Sequence, residues 1–141
     1  MKSFEAFLRE DLNNYEGDFD KFILYAPDFF KLLCELLDED LDNEDKRKIN
    51  SALAYFVLPN EIIPEETSGP LGYVDDIYVC CVVLKNLSTK YGIARIGKLW
   101  NQDEDFEVVL NKCFKGSENI LKGKNLINIV LNKSVLDEKD G

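Results

Sequence analysis

Four carboxylates, those of Glu61, Glu65, Asp75 and Asp76, set the chemical question. They flank a segment in which Pro59 and Pro64 stiffen the backbone while Gly69 and Gly72 permit angles closed to other residues. A hairpin of that composition can gather the four acids at one end of two packed helices. Converging carboxylates repel unless they share a proton or bind a cation. Hard cations prefer oxygen ligands, so one expectation is a Mg²⁺ or Ca²⁺ site supporting a cation-dependent hydrolase. A plainer reading stands beside it. Asp75 and Asp76 fall in the first turn of a helix, where acids satisfy free amides and gain about 0.3–1 kcal/mol each from the dipole. Glu61 can do the same for a turn begun by Pro59. The segment is then a rigid corner built from Tyr55, Pro59, Pro64, Gly69 and Gly72, and its acids meet a partner or tie down their own backbone.

Other chemistries fall away. The chain has no histidine, which removes Ser-His-Asp and Cys-His catalysis and imidazole-based zinc sites together. It has no GxGxxG or GxxxxGK[ST] phosphate cradle. Cys34, Cys80, Cys81 and Cys113 contain no CxxC and lie in apolar stretches, as expected for buried free thiols in a reducing compartment. Asp38, Asp40 and Asp42 match the first three ligand positions of a calcium-binding EF-hand loop. Asn43 and Ile49 then stand where that loop needs Gly and a bidentate Glu, so an ordinary interhelix turn is expected.

The elements that must position these residues follow from apolar spacing. Phe4, Phe7, Leu8 and Leu12 predict a first helix over about 3–14, and Phe19, Phe22 and Ile23 a short second one. Pro27 suits the first turn of a third helix carrying Phe29, Phe30, Leu33, Cys34, Leu36 and Leu37. Asp42 can cap a fourth, with Ile49, Ala52, Leu53 and Phe56 on one face, which Pro59 closes. The run IYVCCVVL, residues 77–84, reads locally as strand or helix. Its apolar continuation to Leu87 and its leading aspartates favour a helix from Tyr73 to Gly92. Ile93, Ile96, Leu99 and Trp100 predict a further short helix, Asp103 can cap one carrying Phe106, Val109, Leu110, Cys113 and Phe114, and Leu126, Ile127, Val130 and Leu131 mark the last. Trp100 is expected to pack its ring in the core with its N–H at the edge, the alternative being an interface anchor. The expected fold is all-α, a compact bundle of about seven helices forming one domain over 1–136, with 137–141 a frayed tail.

Charge bounds the partners. The net charge is −10, with 7 Lys/Arg against 19 Asp/Glu over residues 1–76 and 10 against 8 over 77–141. Such a balance repels phosphate backbones and anionic lipid, so neither nucleic acid nor membrane is an expected partner. The segregation suits a basic protein partner or head-to-tail self-association. The longest apolar run, eight residues, falls short of the roughly 20 that a membrane span needs, and MKSFEAFLRE lacks the apolar core of a signal peptide. A cytoplasmic protein is expected.

The stretch ALAYFVLPNEIIPEETSGPLGYVDDIYV, residues 52–79, resembles the signature of the YkvA-like family, small bacterial and archaeal helical proteins without an established biochemical role. The positions that carry the likeness are Tyr55, Pro59, Glu61, Ile63, Pro64, Glu65, Gly69, Gly72, Asp75 and Asp76. Many relatives have Asp at the position of Glu61 and an apolar residue at that of Asn60. A related domain occurs in some membrane-associated RING-type ubiquitin ligases, but this chain is too polar there to imply insertion. The resemblance implies helix for the segment from Tyr73 to Leu87. With no nucleophile–base pair and no cofactor motif, the sequence points to a non-enzymatic helical interaction module.

Overall fold

The computed structural model describes residues 2–13, 21–57, 73–123 and 125–133. Seven α-helices lie among them, with no strand: α1 Lys2–Asn13, α2 Ala26–Leu36, α3 Asn43–Val57, α4 Val74–Tyr91, α5 Ile93–Gly97, α6 Phe106–Gly123 and α7 Ile127–Lys133. A 3-10 turn, Lys21–Tyr25, takes the place of the expected second helix and leads straight into α2.

α4 is the axis of the bundle. It packs against α3 on one side and α6 on another, with further contacts to α2, α5 and α7. Ile77, Tyr78, Val79, Cys80, Cys81, Val83 and Leu84 are all buried. This explains why the segment read ambiguously. A helix enclosed by neighbours has no polar face, so its apolar residues form a continuous run rather than a stripe. Tertiary burial then outweighs the small helix penalty of its β-branched residues. Gly92 ends α4 with φ +98°, a backbone angle that strains residues bearing a Cβ, and its N–H donates to the Ser88 carbonyl at 2.9 Å.

The outer helices turn stripes inward. On α1, Leu8 and Leu12 are buried while Phe7 is 55% exposed. Pro27 sits in the first turn of α2, as its fixed φ favours. The cap of α6 is Asp105 rather than the expected Asp103: its Oδ2 accepts the Val108 N–H at 3.2 Å and its carbonyl the Val109 N–H at 3.0 Å. Leu99 and Trp100 lie just beyond α5 in a turn. The Trp100 ring packs against Phe29 and Phe106 at 5.5 and 5.6 Å, and its indole N–H donates to the Glu104 carbonyl at 3.0 Å. That is the expected core position.

The acidic α2–α3 turn is bound by cationic and phenolic side chains. Lys90 Nζ donates to Asp42 Oδ2 and Asp45 Oδ2, both at 2.7 Å. The Tyr91 hydroxyl donates to Asp45 Oδ2 at 2.6 Å and accepts the Asp42 N–H at 3.0 Å. Arg95 donates to the Asp40 carbonyl at 2.9 Å. Asp42 therefore stands before α3 as expected, but its carboxylate reaches across to α4. Of the three carboxylates matching an EF-hand, that of Asp42 is occupied by the Lys90 ammonium. The turn is a clamp between the start of α3 and the end of α4.

Burial pushes the Asp45 carboxyl up, but hydrogen bonds from Lys90 and Tyr91 outweigh it and hold the group below its ordinary value. The bonds that Lys90 donates to Asp42 and Asp45 raise its own value. A depressed carboxyl contributes stability above its unfolded value and loses it as pH falls through the folded one. The raised lysine contributes below its unfolded value and loses it on the alkaline side. The clamp is thus strongest near neutrality. Asp45→Asn should lower Tm by several degrees at pH 7, and the gap to the parent should close as pH falls below about 4. Thermal melts from pH 2 to 7 check this; an undiminished gap at pH 2 contradicts it.

Candidate functional site

The corner where α3 ends and α4 begins carries the described part of the sequence motif. Tyr55 sits in the last turn of α3, and Asp75 and Asp76 in the first turn of α4. All three are buried, at 4%, 2% and 8% exposure. The Tyr55 hydroxyl donates to Asp75 Oδ2 at 3.0 Å, joining the two helix ends across 20 residues of chain. Burial raises the Tyr55 phenol, and the neighbouring Asp75 and Asp76 charges with the Asp75 bond raise it further, so it stays protonated and remains a donor. The position suits Asp75 as well. A carboxylate in a first helical turn lies near the positive end of the dipole, which offsets part of its desolvation.

A third helix enters the corner through Tyr73, which immediately precedes α4 and whose hydroxyl donates to the Asp11 carboxylate of α1. Arg9, two residues earlier, bridges Glu5 and Asp28, each at 2.8 Å, and so fastens α1 to the start of α2. Val57, at the tip of α3, turns outward and is 46% exposed.

Of the site residues expected from sequence, Tyr55, Asp75 and Asp76 are brought together. Pro59, Glu61, Pro64, Glu65, Gly69 and Gly72 lie outside the described residues. Among the described residues, no three Cys, Asp or Glu side chains are placed to share a metal ion. The thiols sit in the interior as expected for Cys80, Cys81 and Cys113, whereas Cys34 is only half-buried. Burial raises all four, Cys113 to about 12, which leaves little thiolate at neutral pH.

Two features escaped the sequence reading. One is the clamp of Asp45, Lys90 and Tyr91, whose members lie about 45 positions apart with no local pattern to link them. The other is a shallow groove of about 210 Å³ on α4, α5 and α6, lined by Lys85, Ser88, Thr89, Ile93, Glu107, Leu110 and Asn111. Its polar rim is partly self-satisfied, since Lys85 Nζ donates to Asn111 Oδ1 at 3.1 Å.

Comparison with known proteins falls on the same part of the chain. The model of a family described as a protein of unknown function, DUF1232, matches residues 46–81, which span α3, the corner and the first half of α4. The chain is also similar to the uncharacterised protein ORF9 of Methanothermobacter thermautotrophicus, 33% identical over 106 residues, or 74% of this chain and 73% of that protein. The chain belongs to the DUF1232 family. No solved structure matches it. The part shared with the DUF1232 model is the pair of helices joined by Tyr55 and Asp75, and the likeness to the archaeal protein extends well beyond it.

The Tyr55–Asp75 bond should be measurable as a coupling. Tyr55→Phe, Asp75→Ala and the double variant form a cycle in which each single change destabilises. The interaction energy should be about 1.5–3 kcal/mol, the range for a hydrogen bond to a charged group. Urea unfolding of the four proteins measures it, and additivity within about 0.3 kcal/mol would show that the bond contributes nothing.

Proposed function

We propose that this DUF1232 chain is a non-enzymatic helical module that binds another protein through the α3–α4 corner. The observation that carries the reading is the disposition of side chains there. Asp75, the acid best placed for chemistry, is 2% exposed and engaged by Tyr55, whereas the apolar Val57, two residues after Tyr55, is open to solvent. A catalytic carboxylate must reach its substrate; a buried one bonded to a phenol positions helices instead. Glu61 and Glu65 are the acids of the motif left to recognise a partner, and a partner with basic groups suits the −12 balance of residues 1–76. The YkvA-like resemblance of residues 52–79 fits the same reading, as does a cytoplasmic location with its free thiols.

Val57→Lys and the pair Glu61→Ala with Glu65→Ala test the proposal, because neither removes the Tyr55–Asp75 bond. Both variants should keep the parent circular dichroism and Tm within about 2 °C. In a cross-linking pull-down from the native host, they should lose the partner that the parent captures. Retention by both variants would contradict the corner as the contact. A second reading, a hydrolase using Mg²⁺ or Ca²⁺ held by Glu61, Glu65, Asp75 and Asp76, predicts a different outcome. Millimolar Mg²⁺, Mn²⁺ or Ca²⁺ would then raise Tm, and the Glu61/Glu65 variant would abolish the rise.

A further inference from the structure

The outward face of α6 bears a basic row in an otherwise acidic protein. Val108, Lys112, Lys115, Asn119 and Lys122 recur at i, i+4, i+7, i+11 and i+14, which places them along one side of an α-helix. All five are exposed, Val108 at 59%. The opposite side carries the buried Val109, Leu110, Cys113, Ser117 and Leu121. Lys112 and Lys115 make no ion pair among the described residues, and Lys122 only a loose one, 3.8 Å from Glu118.

The α2–α3 turn offers the matching surface. Asp38 and Asp40 are exposed and Glu39 is half-buried, and none of the three makes an ion pair among the described residues. Asp42 and Glu44 beside them are already taken by Lys90 and Arg47. The turn is also held in place, with Arg95 on the Asp40 carbonyl and Tyr91 on the Asp42 N–H. A surface fixed in this way loses little freedom on binding.

From this complementarity we propose that copies of the chain associate head to tail, the α6 lysine row of one seating on the Asp38–Asp40 turn of the next. The contact uses a different face from the α3–α4 corner and stands or falls independently of it. Two unlike patches meet, so each added copy leaves one of each patch open and growth does not stop at two. Two chains of charge −10 repel at a distance, but at 0.15 M salt the screening length is about 8 Å, which leaves the short contact pairs as the main electrostatic term.

Sedimentation equilibrium of the full chain at 0.15 M NaCl, across a hundredfold range of concentration, tests the proposal. The weight-average mass should rise past that of a dimer without a plateau. Lys112→Gln with Lys115→Gln should remain monomeric, as should Asp38→Asn with Asp40→Asn, since each lacks one face. An equimolar mixture of the two variants should form a dimer and grow no further, because only one intact pair of faces remains. A parent chain that stays monomeric, a parent that stops at two, or growth by either variant alone would overturn it.

Discussion

A buried phenol donating to a buried carboxylate fixes the geometry on which the rest of this fold depends. Asp75 is withdrawn from water at the first turn of α4, a placement that costs several kcal/mol for an unpaired carboxylate. The Tyr55 hydroxyl and the positive end of the helix dipole offset that cost together. Because the bond needs its partners at 3.0 Å, it sets the end of α3 against the beginning of α4. Tyr73 extends the arrangement to α1 through Asp11. The corner is thus assembled from polar groups that select one arrangement of helices, while the apolar core supplies the bulk of the stabilisation.

α4 is secured at both ends by unlike means. Its start is tied by the enclosed Tyr55–Asp75 contact, its end by the half-exposed clamp of Lys90 and Tyr91 on Asp42 and Asp45. Between the two, apolar side chains meet α2, α3 and α6 on all sides. The first tie falls within residues 46–81, which match the DUF1232 model, and the second lies outside them. A braced pair with an outward Val57 at one end is the surface that the proposed recognition role would use.

Much of the architecture was legible in the sequence because helices are local. The stripe of Leu8 and Leu12, the Pro27 entry to α2 and the Gly92 stop of α4 each depend on spacing or on one residue's backbone preference. The motif singled out Tyr55, Asp75 and Asp76, but not the bond between Tyr55 and Asp75. What the pattern could not convey was the direction of side chains at short range. Asp103 and Asp105 are equally good caps by type, and only the path of the chain after Trp100 selects Asp105. The acids of the α2–α3 turn looked free because Lys90 and Arg95 lie some 50 positions away. First-turn acids were expected to serve their own helix, yet the position of Asp75 let it bond to a tyrosine of another. Such cross-chain pairings depend on packing, and no period of 3.6 announces them.

The ionisation of Tyr55 reports most directly on the central contact. With tyrosines labelled at ¹³Cζ, an alkaline titration of the folded chain should show the Tyr55 resonance unmoved through pH 10, the ordinary phenol value, because burial and the Asp75 charge both oppose its ionisation. Its shift should change only when the fold is lost. A Tyr55 resonance that titrates near pH 10 while the rest of the spectrum stays native would mean that the phenol is hydrated and the two helix ends are not joined through Asp75.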